Sequence, residues 1–215
     1  MRLLIPYLAT HGLRPFQRFF PDLLWRVEAQ SRTAYLTFDD GPTTELTRSL
    51  LDLLSTYEAH ATHFLLGEHA RQHPDLVRSI VDAGHQIGNH TFTHPDPWRE
   101  SSDAILHEAK QTTTVLEEIS GRSVRAFRPP YGHPTGALRH WCAEHRQRMV
   151  MWDVMPGDYL KTATADRVAR FVLRHVRPGA IIVLHDNPTC KEVTPQALHT
   201  ILDTLTQRGW AFDAL

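Results

Sequence analysis

From Thr33 onward, short apolar runs alternate with stretches in which apolar residues recur every three or four positions. The runs at 34–38, 61–66, 85–88, 125–128, 149–154, 180–185 and 210–212 have the length of strands. Between them, 45–58 sets Leu46, Leu50, Leu53, Leu54 and Tyr57 on one helical face. Pro74 opens a helix carrying Leu76, Val77, Ile80 and Val81 on one side, with Gly84 as its stop. Further helices are expected over 102–119 before Gly121, 135–146, 164–176 before Pro178-Gly179, and 195–208 before Gly209. Strands alternating with helices predict βαβ units and a mostly parallel α/β sheet. Seven strands with about six helices suffice to close, or nearly close, a barrel.

The chain has 215 residues, enough for one α/β domain with a single buried core, and no internal repeat or linker divides it. We expect a domain over 31–215, with 1–30 as a segment packed on or beside it. Lys and Arg total 23 against 24 Asp and Glu, so the basic excess of a nucleic-acid binder is missing. Cys142 and Cys190 make no disulfide framework. The apolar start of the chain is soon interrupted by His11, Arg14 and Arg18, which argues against an export signal. A cytoplasmic or membrane-peripheral location is therefore expected, although export fits so few cysteines as well. The stretch from Phe16 to Trp25 reads either as a strap across the domain or as a peripheral membrane contact. Histidine is the unusual component, with fifteen copies of the residue that most often ligates metals and moves protons near neutral pH.

Four groups of polar residues fall at the C-terminal ends of expected strands, where parallel α/β folds carry their chemistry. Asp39-Asp40-Gly41-Pro42 puts two carboxylates at a sharp turn. If the turn brings both into one pocket, one would bind a cation and the other act as base; by itself the motif equally describes a surface turn. His90 and His94, four apart on an expected helical turn, could share a metal with Asp40 as third ligand, leaving a position open. Chance also produces such pairs in a histidine-rich chain. Arg128-Pro129-Pro130-Tyr131-Gly132 offers a stiffly held guanidinium that could orient a carboxylate, or a proline-rich surface turn. His185 ends an apolar strand as a potential proton donor, with Asp158 as a potential partner.

In order and content these motifs resemble carbohydrate esterase family 4, the polysaccharide deacetylases with a NodB-homology domain. The matching residues are 37–42, 90–94, 128–132, 152–159 and 184–186, with 61–67 and 84–89 similar to the family framework. The resemblance implies a distorted parallel (β/α) barrel of about seven strands whose catalytic domain spans 31–215. It implies that Asp40, His90 and His94 hold one divalent metal, expected to be zinc, with Co, Ni or Mn as alternatives. Asp39 is then the general base, steered by Arg128. His185 is the acid that protonates the departing amine, tuned by Asp158. Tyr131 and Pro130 contribute to substrate binding, the former through its backbone N–H, and Tyr159 and Leu184 line an acyl pocket. The expected reaction removes acetyl from an N-acetylated amino sugar in peptidoglycan, a chitin-like oligosaccharide or a related glycan, in a monomer. Other readings are a deacylase or deformylase of a lipid- or nucleotide-linked amino sugar, and an inactive sugar-binding module. No wall-binding module is seen, which favours short or soluble substrates. Met155 and Tyr159 depart from the family pattern and put the pocket's shape in question, while His63 and His133 are expected at the surface.

Overall fold

The computed structural model describes Pro6, Thr10, Gln17, residues 19–29 and residues 31–215. Its elements are β1 (Thr33–Asp39), α1 (Thr44–Thr56), β2 (Ala61–Leu65), α2 (Gly67–Gln72), α3 (Pro74–Asp82), β3 (Gln86–Asn89), α4 (Ser102–Ser120), β4 (Ala126–Phe127), α5 (Gly136–Glu144), β5 (Arg148–Met149), α6 (Ala165–His175), β6 (Ile181–His185), α7 (Val193–Gln207) and β7 (Ala211–Phe212). The strands lie in the order β5-β4-β3-β2-β1-β6, β7 also pairs with β1, and every pairing is parallel.

Alternation along β1 sorts its side chains. Ala34, Leu36 and Phe38 join Leu50 and Leu54 of α1, Val172 of α6 and Leu198 and Leu202 of α7 in the main core cluster. Burying each large aliphatic side chain contributes about 1.5–3 kcal/mol. Thr37 and Asp39 therefore point to the other face, inside the curl of the sheet. Polar caps fix where helices start: Ser101, Thr135 and Thr164 accept from the N–H groups of Ala104, Leu138 and Arg167. Gly121, at φ 66°, ends α4 in the left-handed conformation.

The expected strand at 149–154 is interrupted. Only Arg148–Met149 forms ladder with β4, after which Val150 bridges Leu24 and Val154 bridges Ile182 of β6. Within five residues the chain passes from one wall of the barrel to the other, so it cannot stay paired with either. Leu24 and Arg26 fill the seam: Leu24 N–H donates to Met149 O (2.8 Å), Met151 N–H donates to Leu24 O (2.8 Å), and Arg26 bridges Ala180. The described part of the N-terminal segment is thus a strap that helps close the sheet, with Leu23 and Leu24 buried and Phe19 exposed. Phe16 and Arg18, and most of residues 1–18, lie outside the described residues. No helix among the described residues is long and apolar enough to cross a membrane. The short α2, with little apolar periodicity, has no counterpart in the elements read from sequence.

Candidate active site

Asp39 ends β1 facing the barrel interior, and Asp40 then takes a left-handed conformation (φ 76°) that swings its carboxylate to the same side. Gly41 is required here. A Cβ at this position would stand 2.4 Å from Oδ2 of the buried Asp186. Asp186 holds the turn from beneath, accepting from Thr43 Oγ1 (2.6 Å) and Thr47 Oγ1 (2.5 Å).

His90 and His94 do not sit on a helical turn. They follow β3 in an irregular loop in which Thr91 (φ 68°) and His94 (φ 61°) are both left-handed. The loop is held by side chains in place of helical bonds. Asn89 Oδ1 accepts from Thr91 N–H at 2.8 Å, and Glu108 Oε2 accepts from the N–H groups of Phe92 (2.8 Å) and Thr93 (2.7 Å). The outcome still unites the two rings, with centroids 5.0 Å apart.

Oδ1 of Asp40 lies 3.6 Å from Nε2 of His90 and 3.6 Å from Nε2 of His94, and the donor atoms of all three residues fall within 4.8 Å of one another. Bonds of about 2.0–2.2 Å to one tetrahedral cation would set neighbouring ligands roughly 3.3–3.5 Å apart, so the set fits a divalent metal. Its orientation is prearranged. His90 Nδ1–H donates to Arg128 O (2.7 Å), which leaves the Nε2 lone pair facing Asp40. Asn187 donates to Oδ2 of Asp40 (2.7 Å), which leaves Oδ1 for the histidines. His69 Nδ1–H donates to the Asp40 carbonyl at 2.8 Å. Burial would raise the Asp40 carboxyl, but His185, His90, the Asn187 amide and His94 together hold it below the ordinary carboxylate range. Burial, with His90 beside it, pushes His94 down to about 4, so its ring is neutral and available as a ligand.

Arg128 has no exposed surface. Its guanidinium donates to Asp39 Oδ1 (2.6 Å), Thr37 Oγ1 (2.8 Å), Met151 O (3.0 Å) and Val150 O (3.3 Å), and lies over the Phe64 ring. Burial pulls its pKa down, opposed by Asp39. Oδ2 of Asp39 remains directed to the site, 3.9 Å from His90 Nε2.

On the far side, His185 Nδ1–H donates to Asp158 Oδ1 (2.8 Å), and Asp158 Oδ2 also accepts from His185 N–H (2.8 Å) and Thr194 Oγ1 (2.7 Å). Burial alone would depress the imidazole; Asp158, Asp40 and Asp39 outweigh it and raise His185 to about 9. Tyr159 packs edge-on to the His185 ring at 4.7 Å. Tyr131, left-handed at φ 57° and 59% exposed, meets the His94 ring at 4.7 Å, and Pro130 before it is buried. Leu184 is not brought to the site surface: fully buried, it belongs to the main core against which Tyr159 packs.

His63, expected at the surface, is fully buried beside Phe38 and His85 because β2 is covered on both faces. His133 is half-buried and bonded to Asp96. Sequence reasoning missed Asn187, although it directly follows the 184–186 motif, and missed Glu108 and Thr194, whose helical positions carry no local sign of their bonds.

The family model for polysaccharide deacetylase matches residues 26–150. A peptidoglycan-N-acetylglucosamine deacetylase of Bacillus cereus is 35% identical over 84% of this chain and 66% of its own length. A chitooligosaccharide deacetylase of Rhizobium leguminosarum bv. trifolii is 34% identical over 87% of this chain and 92% of its own. Among solved structures, a peptidoglycan N-acetylglucosamine deacetylase bound to 4-naphthalen-1-yl-N-oxidanyl-benzamide superposes with a TM-score of 0.88 at 32% identity, covering 94% of each chain. With its parallel half-barrel and its Asp39, Asp40, His90, His94, Arg128 and His185 at the strand ends, the chain belongs to the polysaccharide deacetylase family, hydrolases of carbon–nitrogen amide bonds.

Proposed function

We propose that the protein hydrolyses the N-acetyl amide of N-acetylglucosamine units in peptidoglycan, a chitin-like oligosaccharide or a related glycan, releasing acetate and the free amine. The carrying observation is that Asp39 and His185 accompany the Asp40–His90–His94 donor set with opposite equipment. Asp39 Oδ2 is a carboxylate oxygen with its partner oxygen fixed by Arg128, whereas His185 is biased toward the imidazolium by Asp158. Asp40, His90 and His94 would hold zinc, which when bound supplies Lewis acidity toward the amide carbonyl and acidifies water. Asp39 takes a proton from the attacking water as its oxygen bonds to the carbonyl carbon. The Tyr131 N–H donates to the oxyanion that results. His185 passes its Nε2 proton to the amide nitrogen as the C–N bond breaks. Tyr159 borders the acyl group beside His185. The names of the Bacillus and Rhizobium relatives support this substrate class.

Acetate release from N-acetylglucosamine oligomers should appear in the zinc-loaded protein, vanish on chelation, return with zinc, and be abolished by Asp39→Asn. A protein that binds one metal per chain yet releases no acetate would refute the substrate.

A further inference from the structure

Among the described residues three large hydrophobic side chains are exposed, Phe19, Trp98 and Tyr131, and two of them stand beside the metal-ligating loop. Trp98 is 65% exposed, although it belongs to the segment between His94 and α4. Its indole is nevertheless fixed. One face lies on the His133 ring with centroids 3.6 Å apart and an interplanar angle of 1°. The indole N–H donates to Pro134 O (3.2 Å), and Trp98 N–H donates to Asp96 Oδ1 (3.0 Å). The same Asp96 oxygen pairs with His133 Nδ1 at 2.7 Å, so one carboxylate ties the Trp98 backbone to the His133 ring. From there the rings run back to the metal donors: His133 to Tyr131 at 5.8 Å, and Tyr131 to His94 at 4.7 Å.

A rigid aromatic surface held open to water beside the metal-ligating loop is suited to ligand binding, because its ordering cost has already been met. Flat rings of this kind suit the C–H face of a pyranose. We propose that Trp98, backed by His133 and aligned by Asp96, binds the sugar next to the one being deacetylated. The substrate is then an oligosaccharide of at least two residues, and Trp98 and His133 set the preference for length. This rests on the deacetylase reading of the neighbouring metal site.

The test measures binding and turnover separately. In zinc-loaded Asp39→Asn protein, titration calorimetry compares N-acetylglucosamine with its tetramer, with and without Trp98→Ala or Trp98→Phe. The tetramer should bind more tightly than the monosaccharide, Trp98→Ala should weaken the tetramer about tenfold, and Trp98→Phe should restore most of it. In otherwise wild-type protein, Trp98→Ala should lower kcat/KM for acetate release more on the tetramer than on the monosaccharide. Equal affinity for the two sugars, no tetramer binding, or tetramer binding indifferent to Trp98 would each overturn the proposal. Trp98-dependent tetramer binding without acetate release would sink the deacetylase reading and leave this sugar site standing. Acetate release with a length preference indifferent to Trp98 would do the reverse.

Discussion

The Nη1 of Arg128 sits 2.6 Å from Oδ1 of Asp39, with the arginine fully enclosed and the aspartate 4% exposed. An ion pair so withdrawn from water depends on its other donors finding acceptors, and Thr37, Val150 and Met151 accept three of the remaining four N–H groups. Arg128→Gln leaves Asp39 buried without its counter-charge and is expected to cost about 3–5 kcal/mol in urea unfolding as well as the activity. Arg128→Lys should rescue little, since one ammonium cannot reach four acceptors arranged around a planar fork. An Arg128→Gln protein as stable as the wild type would show that the pair is not desolvated.

Burial would lower the His185 imidazole, but Asp158, with Asp40 and Asp39 adding to it, raises it to about 9. The folded-state value, about 9, exceeds the unfolded 6.5, so this stabilisation is complete below pH 6.5 and disappears as pH rises through 9. The difference in unfolding free energy between wild type and Asp158→Asn should accordingly shrink across that interval. In kinetics, Asp158→Asn should move the alkaline limb of kcat/KM downward by about one to three units. A bound cation lowers the limb in both proteins, so the comparison is made at equal zinc loading. An unmoved limb would remove His185 from the role of acid.

Much of this site could be read from the sequence because its chemistry is carried by consecutive residues at strand ends. Asp39-Asp40 and His185 each close a run that is apolar enough to identify as a strand, Arg128 follows the short Ala126-Phe127 strand, and parallel topology then gathers those ends. The structure brings the His90 and His94 rings together, but through a left-handed loop and not through the helical turn that the spacing suggests. Spacing of four suggests a helical turn, and nothing in Thr91 announces a left-handed backbone, which costs a β-branched residue energy. That conformation is imposed by Asn89 and by Glu108, the latter fourteen residues beyond His94 on another element, and bonds at such separations leave no periodicity. The seam filled by Leu24 and Arg26 was hidden for the same reason, since two isolated bridges are too short to pattern a strand.

His63 makes the clearest case for improving stability. Both ring nitrogens are buried without a hydrogen-bond partner among the described residues, and burial, with His85 nearby, pushes the ring to about 3. Because the folded value lies below the unfolded 6.5, the neutral ring's contribution is present above pH 6.5 and is lost as pH falls toward 3; His85, at about 4, adds to the same window. His63→Phe keeps an aromatic ring against Phe38 while removing two orphaned polar atoms. It should stabilise by about 1–3 kcal/mol and flatten the acid limb of thermal stability between pH 6.5 and 4. A lower melting temperature at neutral pH would mean that the larger ring overfills the slot.

Glu108 offers a way to separate metal affinity from the ligands themselves. Its carboxylate accepts from two consecutive N–H groups, those of Phe92 and Thr93, and from Thr93 Oγ1 at 3.1 Å, between the two histidines of the loop. The first ligand stays oriented by the Arg128 carbonyl through His90 Nδ1, so loss of Glu108 should chiefly loosen His94, whose side chain is 25% exposed. Substitution of outer groups that orient ligands weakens metal binding about 10–100-fold. Glu108→Ala is expected in that range by competition with a chromogenic chelator, while Glu108→Gln, which still accepts from the loop, should lose less. The effect should appear in metal affinity more than in kcat at saturating zinc, because none of the groups that move protons has changed. Unaltered zinc affinity in Glu108→Ala would show that the left-handed residues hold the loop unaided.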